Sequence, residues 1–141
     1  GLPTEKLMPA VVIITDKNGK QKYDNTGFWH ATTDKPNTLV AGLKDINAYY
    51  NGKKVGRVYL SDWIRKETRV GKSWIYYHYV DEPFSLTGSN GIYTYALNFQ
   101  KGWNAYANRV VRVSTDTYKE SVSRTTTIPE ERVFFWQFES Q

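Results

Sequence analysis

The sequence predicts an all-β fold, an antiparallel β-sandwich of about eight or nine short strands. Three observations predict it. Aromatic residues are abundant, with 11 Tyr, 6 Phe and 5 Trp in 141 residues; together with β-branched residues they suit a pleated, half-buried surface, while good helix formers are sparse. Short apolar or alternating runs recur along the chain and are bounded by Gly, Asn, Asp or Pro. The strongest turn signal, Asn51-Gly52, stands between two strand-like runs, as in a tight hairpin.

The length suits one domain that buries about two-thirds of its unfolded surface. Residues 1–8 mix Gly, Pro, Thr and charge and read as a disordered leader, and 9–141 as a single β domain. A first residue of Gly rather than Met implies that preceding residues were removed, by export processing or by cloning. No apolar run is long enough to span a bilayer, since the longest, Ala10 to Ile14, is far short of the roughly 20 residues a helix needs.

In chain order, Pro9 to Thr15 is a β-branched strand with Pro at its tolerant first position, and Asp16 to Gly19 turns it into a hairpin. Gly27-Phe28-Trp29 precedes a polar loop over Ala31 to Thr38. Leu43 to Tyr50 alternates weakly and pairs through Asn51-Gly52 with Val55 to Leu60. Ser61 to Lys72 reads either as a short helix capped by Ser61 or Asp62, or as a long hairpin connection. Trp74 to Val80 has two largely apolar faces and is expected to be central, with Trp74 in the core.

Phe84 to Thr87 is stopped by Gly88 to Gly91. Ile92 to Phe99 then places Tyr93, Tyr95, Leu97 and Phe99 on one face, which is expected to be the core face. Lys101-Gly102 turns into Tyr106 to Val113, and Ser114 to Lys119 is a polar loop. Ser121 to Thr127, rich in Ser and Thr, is expected at a sheet edge. Arg132 to Phe138 closes the domain with Trp136 in the core.

Several chemistries are excluded or disfavoured. The chain has no Cys, so disulfides, thiolate metal sites and thiol nucleophiles are impossible. Nucleotide-binding and serine-hydrolase motifs are absent, and an enzyme is the least supported class. Asp81 and Glu82 are adjacent, so on a strand they face opposite ways and cannot by themselves form a glycosidase pair, although Asp62 or Glu67 could approach either in space. Asp16, Asn18 and Gly19 start a calcium-loop pattern that is not completed, which leaves a plain turn. His78, among Tyr76, Tyr77 and Tyr79, has no second ligand at useful spacing and reads as a structural histidine; no metal and no cofactor are expected.

The segments Trp74 to Gly88, Leu97 to Asn104 and Thr125 to Phe138 carry a family resemblance. Tyr79-Val80-Asp81 with Pro83 and Thr87-Gly88, then Leu97, Lys101, Gly102, Trp103 and Asn104, then Thr125 to Thr127 and Trp136, resemble small exported β domains of the Bacteroidetes lipoprotein type. That resemblance implies an extracytoplasmic location, in the periplasm or at the cell surface, with a lipid anchor possible upstream of Gly1. It implies no catalytic residue, because such domains mostly have no assigned activity. Gly27-Phe28-Trp29 is similar to the opening motif of lipocalin-like β-barrels, which implies an alternative barrel that carries a small apolar molecule.

Charge and exposed rings supply the candidate site. Residues 53–72 hold Lys53, Lys54, Arg57, Arg65, Lys66, Arg69 and Lys72 against Asp62 and Glu67, so this region carries the whole net charge of +5. Such a patch suits an anionic glycan or a membrane surface, or else keeps a sheet edge soluble. Nucleic acid is disfavoured, since no RNA- or DNA-binding motif accompanies it. Trp29, Trp63 and Trp103 fall at turns, where rings can stack on sugars or serve as structural corners, and Asp62 and Asn104 stand beside two of them. The candidate ligand-binding residues are therefore Trp63, Trp103, Asn104, Arg57, Arg65, Lys66 and Arg69. The leading expectation is a non-catalytic binding or assembly module at the cell envelope, partnered by a protein or glycan; a carbohydrate-binding module is the alternative.

Overall fold

The computed structural model describes residues 7–9, 12–15, 17–19, 21–24, 31–35, 37–43, 46–62, 69–89, 91–130 and 132–141. Among them the chain is all-β. Strand β1 (Met8–Pro9) begins inside the expected leader and is separate from β2 (Val12–Thr15), so the run anticipated over Pro9 to Thr15 serves two partners. β2 pairs with β3 (Gln21–Asp24) in the expected hairpin, a two-stranded sheet of its own. The polar loop contains a two-residue strand, β4 (Thr32–Thr33), and is followed by β5 (Leu39–Gly42).

β6 (Ile46–Tyr50) and β7 (Lys53–Ser61) form the hairpin signalled by Asn51-Gly52. Both turn residues have positive φ, 48° and 75°, as a turn matched to strand twist requires. β8 (Ser73–Val80) follows and pairs antiparallel with the end of β7, so residues 62–72 connect two neighbouring strands. That agrees with the hairpin-connection alternative; residues 63–68, on which the helix alternative rests, lie outside the described residues. Arg132 locks this connection. Its guanidinium pairs with Asp62 and donates to the Gly71 carbonyl and to Ser73 Oγ, both at 3.2 Å.

The remaining strands are β9 (Phe84–Ser89), β10 (Tyr93–Phe99), β11 (Gly102–Val113), β12 (Glu120–Thr125) and β13 (Phe135–Ser140). One large sheet runs β1-β5-β8-β11-β12-β10-β9-β4, and β6 and β13 flank β7 as a three-stranded wing. The path ends at β1 and β4 without closing, which overturns the lipocalin-like barrel; its motif, Gly27 to Trp29, lies outside the described residues. The sheet folds over on itself. Phe99 of β10 stacks on His78 of β8 with ring centres 6.3 Å apart and meets Tyr106 of β11 edge-on at 6.0 Å, although β10 is hydrogen-bonded to neither strand. Two layers thus face each other, sandwich-like, with β12 joining them.

This joining role corrects two expectations. β12 is not an edge: it pairs antiparallel with β11 and parallel with β10, so the sheet is mixed rather than purely antiparallel. The reason lies in the corner at Gln100 to Gly102. There the chain passes from one layer to the other instead of closing a hairpin, so β10 and β11 never pair and β12 fills the space between them. Gly102 makes the corner with φ of 102°.

The core follows the expected alternation of β10. Tyr95, Leu97 and Phe99 are buried, while Thr94, Ala96 and Asn98 are exposed. Their cross-strand partners on β9, Leu86 and Phe84, join Val40, Val80 and Tyr106 in one cluster. Each large apolar side chain fully buried here contributes about 1.5–3 kcal/mol relative to exposure. Trp136, expected in the core, is 61% exposed. β13 lies on the wing rather than over the main sheet, so Trp136 shares its outer face with Phe138, Val58 and Leu60. Gly56 on the same face lets the Phe138 ring settle against the backbone, since a Cβ there would come within 2.6 Å of that ring.

Candidate functional site

A cleft of about 350 Å³ opens at one end of the folded sheet. Strand register accounts for its lining. Trp74 and Tyr76 on β8, Val122 and Arg124 on β12 and Tyr93 on β10 all point to the inner face, because register partners project to the same side. Toward the other end of β8 this face is filled by His78, Val80, Phe99 and Phe84. Toward its beginning the face stays open, with Tyr93 of β10 on the far wall and Tyr76 44% exposed. Ile92, Lys119, Glu120 and Arg69 complete the rim.

Cations and aromatic rings converge there. Three basic side chains and one carboxylate line the cleft. Glu120 accepts a hydrogen bond from Arg69 Nε at 2.7 Å in an ion pair. The Arg124 guanidinium lies 4.3 Å from the centre of the Tyr93 ring and 5.9 Å from that of Tyr95. Lys72 Nζ adds positive charge 5.7 Å from the Trp74 ring.

Beneath this lining, Asn108 of β11 is fully buried. Its register partners are Trp74 on one side and Arg124 on the other, so its side chain belongs to the same inner face. Neither Nδ2 nor Oδ1 has a hydrogen-bond partner among the described residues. His78, on the same face nearer the core, is a packed structural histidine. Burial, with a lesser effect of the nearby Arg124 charge, lowers its pKa to about 4, so the ring is neutral at pH 7. Among the described residues no three His, Asp or Glu side chains gather where a metal ion could be held.

The structure separates the residues singled out from sequence. Arg69 lies in the cleft. Trp63, Arg65 and Lys66 lie outside the described residues. Arg57 is on the wing, paired with Glu139 opposite it on β13. Trp103 is 43% exposed, but its edge meets Tyr79 on the outer face, five residues along β11 from Asn108, or roughly 17 Å. Asn104 accepts from the Gln100 N–H at 2.9 Å and donates to the Gln100 and Gly102 carbonyls, so its amide staples the corner.

Trp74, Tyr76, Tyr93, Lys119, Arg124 and Asn108 escaped the sequence reading. The strand patterns around Trp74 and Tyr93 predict core positions, and the Ser and Thr around Arg124 predict an edge. Asn108 did leave a signal: it interrupts the apolar series Tyr106, Asn108, Val110 on one face of an alternating strand. Comparison with known proteins returns no matching family model, no matching curated protein and no matching solved structure.

Proposed function

We propose that this chain is a non-catalytic binding module of the bacterial cell envelope, and that its cleft binds an acidic glycan. The observation that carries the reading is the convergence of Trp74, Tyr76 and Tyr93 with Arg69, Lys119 and Arg124 in one cleft. Rings of this kind stack on the apolar faces of sugars, and the surplus of cations over Glu120 favours a carboxylate or sulfate. The pairing of Glu120 with Arg69 suits binding better than catalysis, because the carboxylate is engaged in holding the rim. Export rests on the resemblance of Trp74 to Gly88, Leu97 to Asn104 and Thr125 to Phe138 to exported β domains.

The test is calorimetric titration with trigalacturonate at low and high salt. Expected are binding that weakens with salt, a loss of at least tenfold on Arg124→Gln or Trp74→Ala, and no change on Trp103→Ala. Failure of trigalacturonate and of sulfated oligosaccharides to bind at low salt contradicts the proposal.

A further inference from the structure

Asn108 presents a problem that the cleft as described does not solve. A buried polar group without a partner is costly, and native structures leave few of them. Here a whole carboxamide is unpartnered among the described residues, donor and acceptor together, at 0% exposure. It sits between Trp74 and Arg124, each directly opposite it on a neighbouring strand, and both line the cleft. Directly opposed residues have Cβ atoms about 5 Å apart, so the buried amide lies beside two residues of the cleft lining. The long Arg124 side chain runs from beside Asn108 to the Tyr93 ring on the next strand, and a ligand reaches the amide if that side chain turns aside.

The chemistry of the unused pair selects a ligand group. A carboxylate offers acceptors only; it would satisfy Nδ2 and set a negative charge against Oδ1. A secondary amide offers one N–H and one C=O and satisfies both atoms at once. The acid of the ligand then falls to the cations. Resting on the glycan reading above, we propose that Asn108 is the specificity-determining floor of the cleft, receiving the acetamido group of an acidic N-acetylated sugar. Its carboxylate is held by Arg124 and Lys119, and its ring lies against the cleft aromatics.

The experiment is titration of the intact chain with three probes: 3′-sialyllactose, which carries acid and acetamido groups on one sugar, trigalacturonate, which carries acid alone, and chitotriose, which carries acetamido groups alone. The expected result is at least tenfold tighter binding of sialyllactose than of trigalacturonate, with chitotriose weakest. Asn108→Leu, which keeps the branched outline and removes both polar atoms, is expected to bring the first ratio near one, and Asn108→Ser to lower it severalfold should the larger leucine fold poorly. Equal affinity for the two acidic probes, or a preference that survives in both variants, overturns this inference while trigalacturonate binding still upholds the general glycan reading. An amide satisfied by water alone gives that same outcome. Absence of binding by all three probes overturns this inference, and failure of sulfated oligosaccharides as well overturns the glycan reading.

Discussion

Arg124 of β12 lays its guanidinium 4.3 Å from the centre of the Tyr93 ring on β10, across the parallel pairing that joins the two layers of the domain. The contact is both structural and part of the cleft. Cation–π contacts contribute about 0.5–2 kcal/mol, more when shielded from water. Arg124→Gln should therefore lower unfolding free energy by about 1 kcal/mol in urea denaturation as well as weaken glycan binding. Arg124→Lys should recover part of the stability and little of the binding, because an ammonium cannot engage a carboxylate with two parallel N–H groups.

His78 makes stability sensitive to acid. Its folded-state pKa of about 4 lies below the ordinary histidine value of 6.5, so between these pH values the unfolded chain binds more protons than the folded one. Stability is then highest above pH 6.5 and falls as pH drops toward 4, by a total of about 3 kcal/mol from this group. Chemical denaturation at pH 7, 6 and 5 should show the decline, and His78→Phe should flatten it over pH 6.5 to 5, above the main carboxylate range.

Asn104 is expected to matter for the corner and not for the ligand. Asn104→Ala removes three hydrogen bonds at the crossing from β10 to β11. A loss of about 1–3 kcal/mol in stability with unchanged trigalacturonate affinity is expected, since several of these bonds are partly exposed. A parallel drop in affinity, measured on folded protein by calorimetry, would place this corner in the site after all.

The wing depends on a missing side chain. At Gly56 an added Cβ would stand 2.3 Å from the Glu139 carbonyl oxygen, a backbone atom that cannot step aside cheaply. Gly56→Ala should loosen β13 from β7, costing about 1–3 kcal/mol or more, and proteolysis should then cut first near residues 132–141. The main core, which β13 does not enter, should keep its near-ultraviolet circular dichroism.

Strand content was legible because aromatic alternation and Asn-Gly turns act locally. β10 shows this best: its sequence fixes which face is buried, and that face is the core. Layer order was not legible. β12 carries Ser121, Ser123 and Thr125, a composition typical of an edge, yet it is flanked on both sides because the chain crosses between layers at Gln100 to Gly102. Trp136 looked like a core residue on composition alone, and its strand pairs only with the wing. The cleft was hidden for the same reason. Tyr93, Trp74 and Arg124 come from three distant stretches and meet through register, which a single stretch of sequence does not encode. Arg69, singled out by its charge, lies in the cleft, while Trp103 and Asn104, singled out by their place at a turn, lie away from it, one against Tyr79 and the other bonded into the corner.

The proposed site, the cleft at the Trp74 end of the folded sheet, is tested most directly by backbone and side-chain NMR of the labelled chain during titration with trigalacturonate at low ionic strength. Saturable shifts at Tyr76, Ile92, Tyr93, Lys119 and Arg124, with Arg57, Trp103 and Asn104 unmoved, are the predicted result. Shifts confined to Trp103 and Arg57, or no saturable shift at any cleft residue, would contradict it.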